Sequence, residues 1–161
     1  MSGPIHNKVK QHLAAAEGGY YRLVLLVGGS GSGKTAVLKS IAYEFGVSVI
    51  NANLALSSAL LELTAKQRSL QLPRILNELS DTSSDLIILD NLEILFDTDL
   101  QQDPLRLLQG LSRNKTVLAS WGGSTSSDKL FYAQSGHPEY RSYDSVDALI
   151  IDIKNSPSEL G

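Results

Sequence analysis

The chain has 161 residues, 42% of them hydrophobic, which is enough for one globular domain with a full core and too few for that core plus a large second domain. With 14 Lys and Arg against 17 Asp and Glu, the formal charge of −3 gives no global attraction to nucleic acid or to an anionic membrane. There is no cysteine, which excludes disulfides, thiolate metal sites and cysteine nucleophiles; no apolar run approaches the ~18 residues of a membrane span and no hydrophobic secretory segment opens the chain, so the expectation is a soluble cytoplasmic protein.

Ile5, Val9, Leu13 and Ala16 recur at helical spacing and predict a short amphipathic helix ended by Gly18 and Gly19. His6 and His12 fall within it and read as solvated or half-buried side chains. Residues 23–27 form a buried-looking strand that runs straight into Gly28-Gly29-Ser30-Gly31-Ser32-Gly33-Lys34-Thr35. That octet has the Gly-x4-Gly-Lys-Thr spacing of a Walker A phosphate-binding loop. Its glycines allow backbone conformations closed to residues with a Cβ, so that N–H groups converge on phosphate oxygens. A helix opening near Gly33 adds unpaired N–H groups and a partial positive charge. Lys34 reaches the β and γ phosphates, and the Thr35 hydroxyl is placed to ligate Mg²⁺. The nucleotide-binding residues read from the motif are Gly28, Gly29, Ser30, Gly31, Ser32, Gly33, Lys34, Thr35 and Ala36.

After Thr35, residues Val37, Leu38, Ile41, Ala42 and Phe45 keep helical spacing and Gly46 caps the run. Residues 47–50 predict a second strand, and 54–63 a helix with Asn53 as its cap. Residues 66–71 read as a polar connection, after which Pro73 opens a further helix through Leu79, at a position where its missing N–H costs nothing. A turn over 81–84 precedes residues 85–90, Asp-Leu-Ile-Ile-Leu-Asp. Apolar side chains at every interior position indicate a strand buried on both faces of a parallel sheet. Asp103-Pro104 caps and starts a helix with Leu105, Leu108 and Leu111 inward, and 116–121 is the fourth strand.

Residues 122–128, rich in Gly, Ser and Thr, read as a mobile loop. Residues 130–133 suggest a short extra strand, half of a hairpin; 134–144 is turn-rich; 148–153 is the last strand. The expected organisation is an N-terminal helix and linker over 1–20, a P-loop NTPase domain over 21–153 and a flexible tail over 154–161. Strands alternating with helices give an α/β fold, a parallel-sheet P-loop NTPase three-layer sandwich with an AAA-like core and no separate helical lid, its ligand at the carboxyl ends of the strands.

Asp90 ends its strand as a Walker B aspartate does, binding Mg²⁺ through the water shell. Hydrolysis needs one more group to orient the attacking water. Many related ATPases place a Glu directly after that Asp; here the position is Asn91, and Glu93 is the nearest carboxylate. Glu93 either points back toward the γ-phosphate or is a solvated first-turn acid favoured by the helix dipole. Ser120, near the end of the fourth strand, is the candidate to sense the γ-phosphate. Arg106 and Arg113 flank the preceding helix; each reads as a plain surface arginine or as a finger for a neighbour's site, with Arg113 the candidate named for that role, because a guanidinium suits developing phosphate charge. Asn114-Lys115-Thr116-Val117 lacks the final Asp of a guanine-reading tetrapeptide and precedes a strand, which favours ATP over GTP. His137 reads as a turn residue and Trp121 as a core edge.

Three blocks carry a family resemblance: Leu89-Asp-Asn-Leu-Glu-Ile-Leu-Phe-Asp97, Gln102-Asp-Pro-Leu-Arg-Leu-Leu-Gln-Gly-Leu-Ser-Arg-Asn114 and Gly136-His-Pro-Glu-Tyr-Arg141. They resemble the BrxF proteins, P-loop components of type 3 BREX, a bacterial system that excludes bacteriophage. The resemblance extends from about Tyr21 to Ile153. It implies an ATPase-like subunit that works with other BREX proteins, among them a methyltransferase, a larger ATPase and a phosphatase-like member. The Walker residues carry over directly, whereas Asn91 departs from the acidic pair of related ATPases.

The leading expectation is an ATPase that binds ATP and Mg²⁺ and hydrolyses slowly at the interfaces of a homo-oligomer. A non-hydrolysing switch that docks other defence components is the alternative. A small-molecule kinase would need an arginine-rich lid, and Arg141 stands alone in its loop. Neither a basic stripe nor a recognition helix is visible, so DNA contact is expected only through an assembly, and no membrane contact is expected.

Overall fold

The chain's computed structural model describes residues 3–133 and 137–155; the first three residues of the turn-rich stretch expected over 134–144 and residues 156–161 of the tail expected over 154–161 lie outside the described residues. Five parallel strands lie in the order β2 (Val49–Asn51), β3 (Leu86–Asp90), β4 (Thr116–Ser126), β1 (Leu23–Gly28) and β7 (Leu149–Asp152). All six residues of β1 are buried, as its unbroken apolar run requires in a sheet covered on both faces. β4 is inserted between β1 and β3, with Leu26 opposite Ser120 and Leu89 opposite Ala119. The ends of β1, β3 and β4 therefore meet at one edge of the sheet.

Alternate residues of the strands face opposite layers. On one side, Val24, Leu26, Ile88, Leu118 and Ile151 pack under α1 (Pro4–Ala16) and α2 (Lys34–Phe45), through Val9, Leu13, Leu38 and Ile41. On the other, Leu23, Leu25, Val27, Ile87, Leu89 and Val117 pack against α3 (Ala52–Leu60), α4 (Ala65–Leu79) and α5 (Pro104–Leu111), through Leu56, Leu72, Leu76 and Leu108. Each such leucine contributes about 1.5–3 kcal/mol by leaving water. The α/β three-layer sandwich is as the sequence predicts, and no helical lid stands among the described residues.

Four local expectations differ from the structure. His6 is buried, with Nδ1 2.8 Å from Ser40 Oγ and Nε2 2.7 Å from Glu44 Oε1, and so ties α1 to α2. The cap of α3 is Asn51, whose side chain accepts from the Leu54 amide, and not Asn53. Residues 66–71 are helical, because Thr64 and Gln67 form a reciprocal capping box that starts α4 there. Pro73 therefore lies inside α4, and the Ser69 carbonyl it would have bonded accepts from Gln102 Nε2 at 2.8 Å.

The fourth difference shapes the site. Residues 122–126 are no loop; they continue β4, and residues 123–126 pair antiparallel with β5 (Lys129–Tyr132), which pairs in turn with β6 (Arg141–Asp144). Small polar residues carry little strand preference of their own, so this pairing is decided by contacts distant in sequence. Trp121 Nε1 donates to the Phe131 carbonyl at 3.0 Å, and Tyr132 stacks on Phe96 with ring centroids 3.5 Å apart. Tyr143 Oη donates to Asp103 Oδ1, fixing β6 to the start of α5.

Candidate functional site

β1 ends at Gly28, and the chain turns through residues 29–33 before α2 begins at Lys34. Gly31 and Gly33 hold left-handed φ values of 75° and 98°, which a side chain would strain. A Cβ on Gly28 would fall 2.5 Å from both Ser32 Oγ and Ile153 Cγ2, so the loop closes tightly on itself there. The amides of Ser30, Gly31 and Gly33 find no backbone acceptor among the described residues, and the first turn of α2 adds further unpaired donors. These N–H groups open onto a cleft of about 850 Å³. Phosphate is the ligand such donors accommodate.

Lys34 spans the loop, its Nζ donating to the carbonyls of Gly28 and Gly29 at 2.8 Å each. Burial lowers its pKa from the ordinary 10.5, and the negative charges of Asp90 and Glu93 act in the opposite sense. Across the cleft, Thr35 Oγ1 donates to Asp90 Oδ2 at 2.7 Å. The other carboxylate oxygen accepts from Ser120 Oγ at 2.6 Å and from the Asn91 amide at 2.9 Å. Asp90 is 5% exposed, so three donors fix the position of a buried carboxylate.

This arrangement fits Mg²⁺. A hydroxyl and a carboxylate oxygen stand side by side at the mouth of a phosphate loop, and Mg²⁺ takes one or two protein oxygens with the rest from water and substrate phosphates. No group of three or more His, Cys, Asp or Glu that could hold a metal occurs among the described residues.

The profile of the ATPase family associated with various cellular activities (AAA) matches residues 24–122, from inside β1 to Gly122 within β4. The chain belongs to the AAA family. Membership implies nucleotide binding, generally with Mg²⁺. No curated protein matches the chain at a significant level. Among solved structures, C. elegans PCH-2 is 20% identical with a TM-score of 0.43, covering 77% of this chain and 38% of that one. A DNA replication initiation factor is 21% identical with a TM-score of 0.44, covering 76% and 39% respectively. The chain thus spans under two-fifths of either protein's length.

The AAA cleft gathers most of the sequence-derived site. Gly29, Ser30, Gly31, Ser32, Gly33, Lys34, Thr35, Asp90, Asn91, Glu93 and Ser120 all line it. Ala36 lies in the first turn of α2 outside that lining and offers only its amide. Asn91 holds a left-handed φ of 58°, which bends the chain away from β3. The bend leads into a 3-10 turn, Glu93–Phe96, whose first residue is exposed in the cleft. Arg113 is not brought there. It lies at the amino end of β4, exposed, its guanidinium 4.5 Å above the Tyr20 ring. Arg106 is also exposed, 3.9 Å from Asp103. His137 accepts from the Glu139 amide in a turn, and Trp121 is fully buried.

Sequence reasoning misses Gly122, Gly123, Ser124, Tyr132, Ala133 and Lys154, which complete the wall of the AAA cleft. Lys154 falls in the expected tail. The signal that finds it is topological, because a parallel strand beside β1 must end beside the phosphate loop. Ile153 packs there against Gly28, and Lys154 follows. Among the described residues no helix is long and apolar enough to cross a membrane.

Proposed function

We propose that this AAA domain binds ATP with Mg²⁺ and hydrolyses it slowly at the interfaces of a homo-oligomer, as the nucleotide-driven subunit of a bacterial BREX-type anti-phage system. The observation that carries the ATP reading is the Asp90 carboxylate, held by Thr35 and Ser120 opposite a glycine loop spanned by Lys34. The resemblance of residues 89–114 and 136–141 to BrxF proteins supports the defence role.

In this reading the loop amides and Lys34 bind the triphosphate, the ammonium leaving the Gly28 and Gly29 carbonyls for phosphate oxygens. Thr35 and Asp90 hold the metal, which supplies charge neutralisation when bound. Glu93 orients a water whose oxygen attacks the γ-phosphorus as the bond to the β–γ bridging oxygen breaks, and the water's proton passes toward the carboxylate. Ser120 links the state of Asp90 to β4. Any arginine acting in trans comes from a neighbouring copy. DNA, if contacted, is contacted by the assembly.

The test is solution mass with and without ATP–Mg²⁺, paired with phosphate release on the same sample. Wild type assembles and releases phosphate, and Lys34→Ala does neither. A Lys34→Ala chain that assembles and turns over like wild type refutes the reading. In a host carrying the remaining BREX proteins, Lys34→Ala also loses phage exclusion; full protection by that variant counts against the defence role.

Asn91 favours a second reading, a switch that binds ATP without turnover, because the residue after Asp90 carries no carboxylate and is turned by its left-handed backbone. Partner docking then follows ATP binding alone.

A further inference from the structure

Tyr132 lines the cleft, and the mechanism above gives it no task. Its ring is buried, stacked on Phe96 within 7° of parallel and edge-on to Trp121. Phe96 ends the same 3-10 turn that Glu93 begins, and Trp121 follows Ser120, so Tyr132 touches both segments that frame Asp90. β5 is held against β4 with no slack, since a Cβ on Gly123 would collide with the Phe131 carbonyl. The Trp121 indole N–H clamps that same carbonyl.

Tyr132 lines the cleft, and among the described residues its hydroxyl has no hydrogen-bond partner and is not one of the fully buried polar atoms. Burial first, then the charges of Glu93 and Glu139, push its pKa up to about 12. It therefore keeps its proton and offers a donor at any ordinary pH. Beside it in the cleft wall stand Glu93 and Gly122, where an added methyl carbon would sit 3.8 Å from the ring. Tyr132, Ser120 and the phosphate loop line one cleft, so a triphosphate tail laid on the loop amides lies in the same cleft as the phenol-bearing residue.

We infer that the Tyr132 hydroxyl donates a hydrogen bond to the terminal phosphate of bound ATP, so that β5 and β6 register whether a triphosphate or a diphosphate occupies the loop. The inference rests on the ATP-binding reading above and deepens it. Ser120 and Asp90 meet the nucleotide from the sheet, whereas Tyr132 meets it from the antiparallel hairpin, and the Phe96 stack carries any shift of the phenol into the Glu93 turn.

The experiment uses Tyr132→Phe, which keeps the ring and its stack and removes one oxygen. Calorimetry with Mg²⁺ compares the non-hydrolysable analogue AMP-PNP with ADP for wild type, Tyr132→Phe and Lys34→Ala. Loss of one hydrogen bond to a charged acceptor weakens AMP-PNP about tenfold in Tyr132→Phe and leaves ADP within about twofold. Hydrogen exchange adds a second readout: AMP-PNP slows the amides of 129–132 in wild type but not in Tyr132→Phe. Equal weakening of both nucleotides, no weakening of either, or AMP-PNP protection that survives in Tyr132→Phe overturns the inference. Should Lys34→Ala bind both nucleotides like wild type, the ATP site itself is misassigned, an outcome distinct from any Tyr132 result.

Discussion

Thr35 and Asp90 stand 55 residues apart in the chain, yet the hydroxyl of one donates to the carboxylate of the other at 2.7 Å. The contact joins the first turn of α2 to the last residue of β3, across a sheet in which β4 separates β1 from β3. Asp90 is therefore shared between two demands. Its Oδ1 is committed to Ser120 and to the Asn91 amide, while among the described residues Oδ2 accepts only from Thr35. The oxygen turned to the loop is the one a cation can claim.

Asp90→Asn tests that division. The amide keeps the size and can still accept from Ser120, so the chain folds, losing about 1–2 kcal/mol in urea denaturation through weaker hydrogen bonds. The dependence of ATP affinity on Mg²⁺, measured by titration with and without the metal, falls by about tenfold or more as the charge disappears. Undiminished Mg²⁺ dependence would remove Asp90 from the metal site.

Lys34 makes nucleotide binding sensitive to alkaline pH. Its pKa is lowered from 10.5, chiefly by burial, so between the lowered value and 10.5 the folded chain holds fewer protons there than the unfolded chain. The stability contribution of this group therefore rises with pH across that window, and its penalty is fully present below it. Phosphate binding works the other way, favouring the ammonium. ATP affinity should fall as pH rises through the lowered value, with proton uptake on binding at alkaline pH below 10.5. Calorimetry in two buffers of different ionisation heat measures that uptake, and Lys34→Ala should lack it.

The phosphate loop, Asp90 and the parallel sheet are legible in the sequence because each is a local pattern: a spaced glycine motif, a run apolar at every position, a helix with a capping glycine. What stays hidden is non-local. Pro73 reads as a helix start until Gln102 is seen to take the carbonyl that proline leaves unpaired. Residues 122–126 read as a loop until β5 pairs with 123–126, and one side of the cleft wall comes with that hairpin. Arg113 reads as a finger for a neighbouring copy, and within the chain its guanidinium lies over the Tyr20 ring, a contact that no local pattern announces. His6 reads as solvated or half-buried because its partners, Ser40 and Glu44, lie on another helix.

Glu93→Gln separates turnover from binding. The carboxylate is exposed in the cleft on a 3-10 turn, close enough to Lys34 and Tyr132 to act on both through its charge. If it orients the attacking water, the amide slows phosphate release about a hundredfold and leaves ATP affinity within severalfold. For a switch that never hydrolyses, the variant docks its partner like wild type and wild type itself releases no phosphate above background.

Gly123→Ala probes the hairpin's hold on the site. One added methyl must displace the Phe131 carbonyl, which is also the acceptor for Trp121. The strain is backbone against backbone, with no flexible side chain to give way, so we expect a loss of about 2–4 kcal/mol in urea denaturation. The single tryptophan should redden in emission as its indole leaves the Phe131 carbonyl and meets water. Gly29→Ala is the control, because a Cβ there meets nothing within 4 Å and its φ is not left-handed, so stability should change by under about 0.5 kcal/mol. Equal stability of the two variants would mean that β5 is not clamped to β4 at Gly123, and that the cleft wall it carries is free to move.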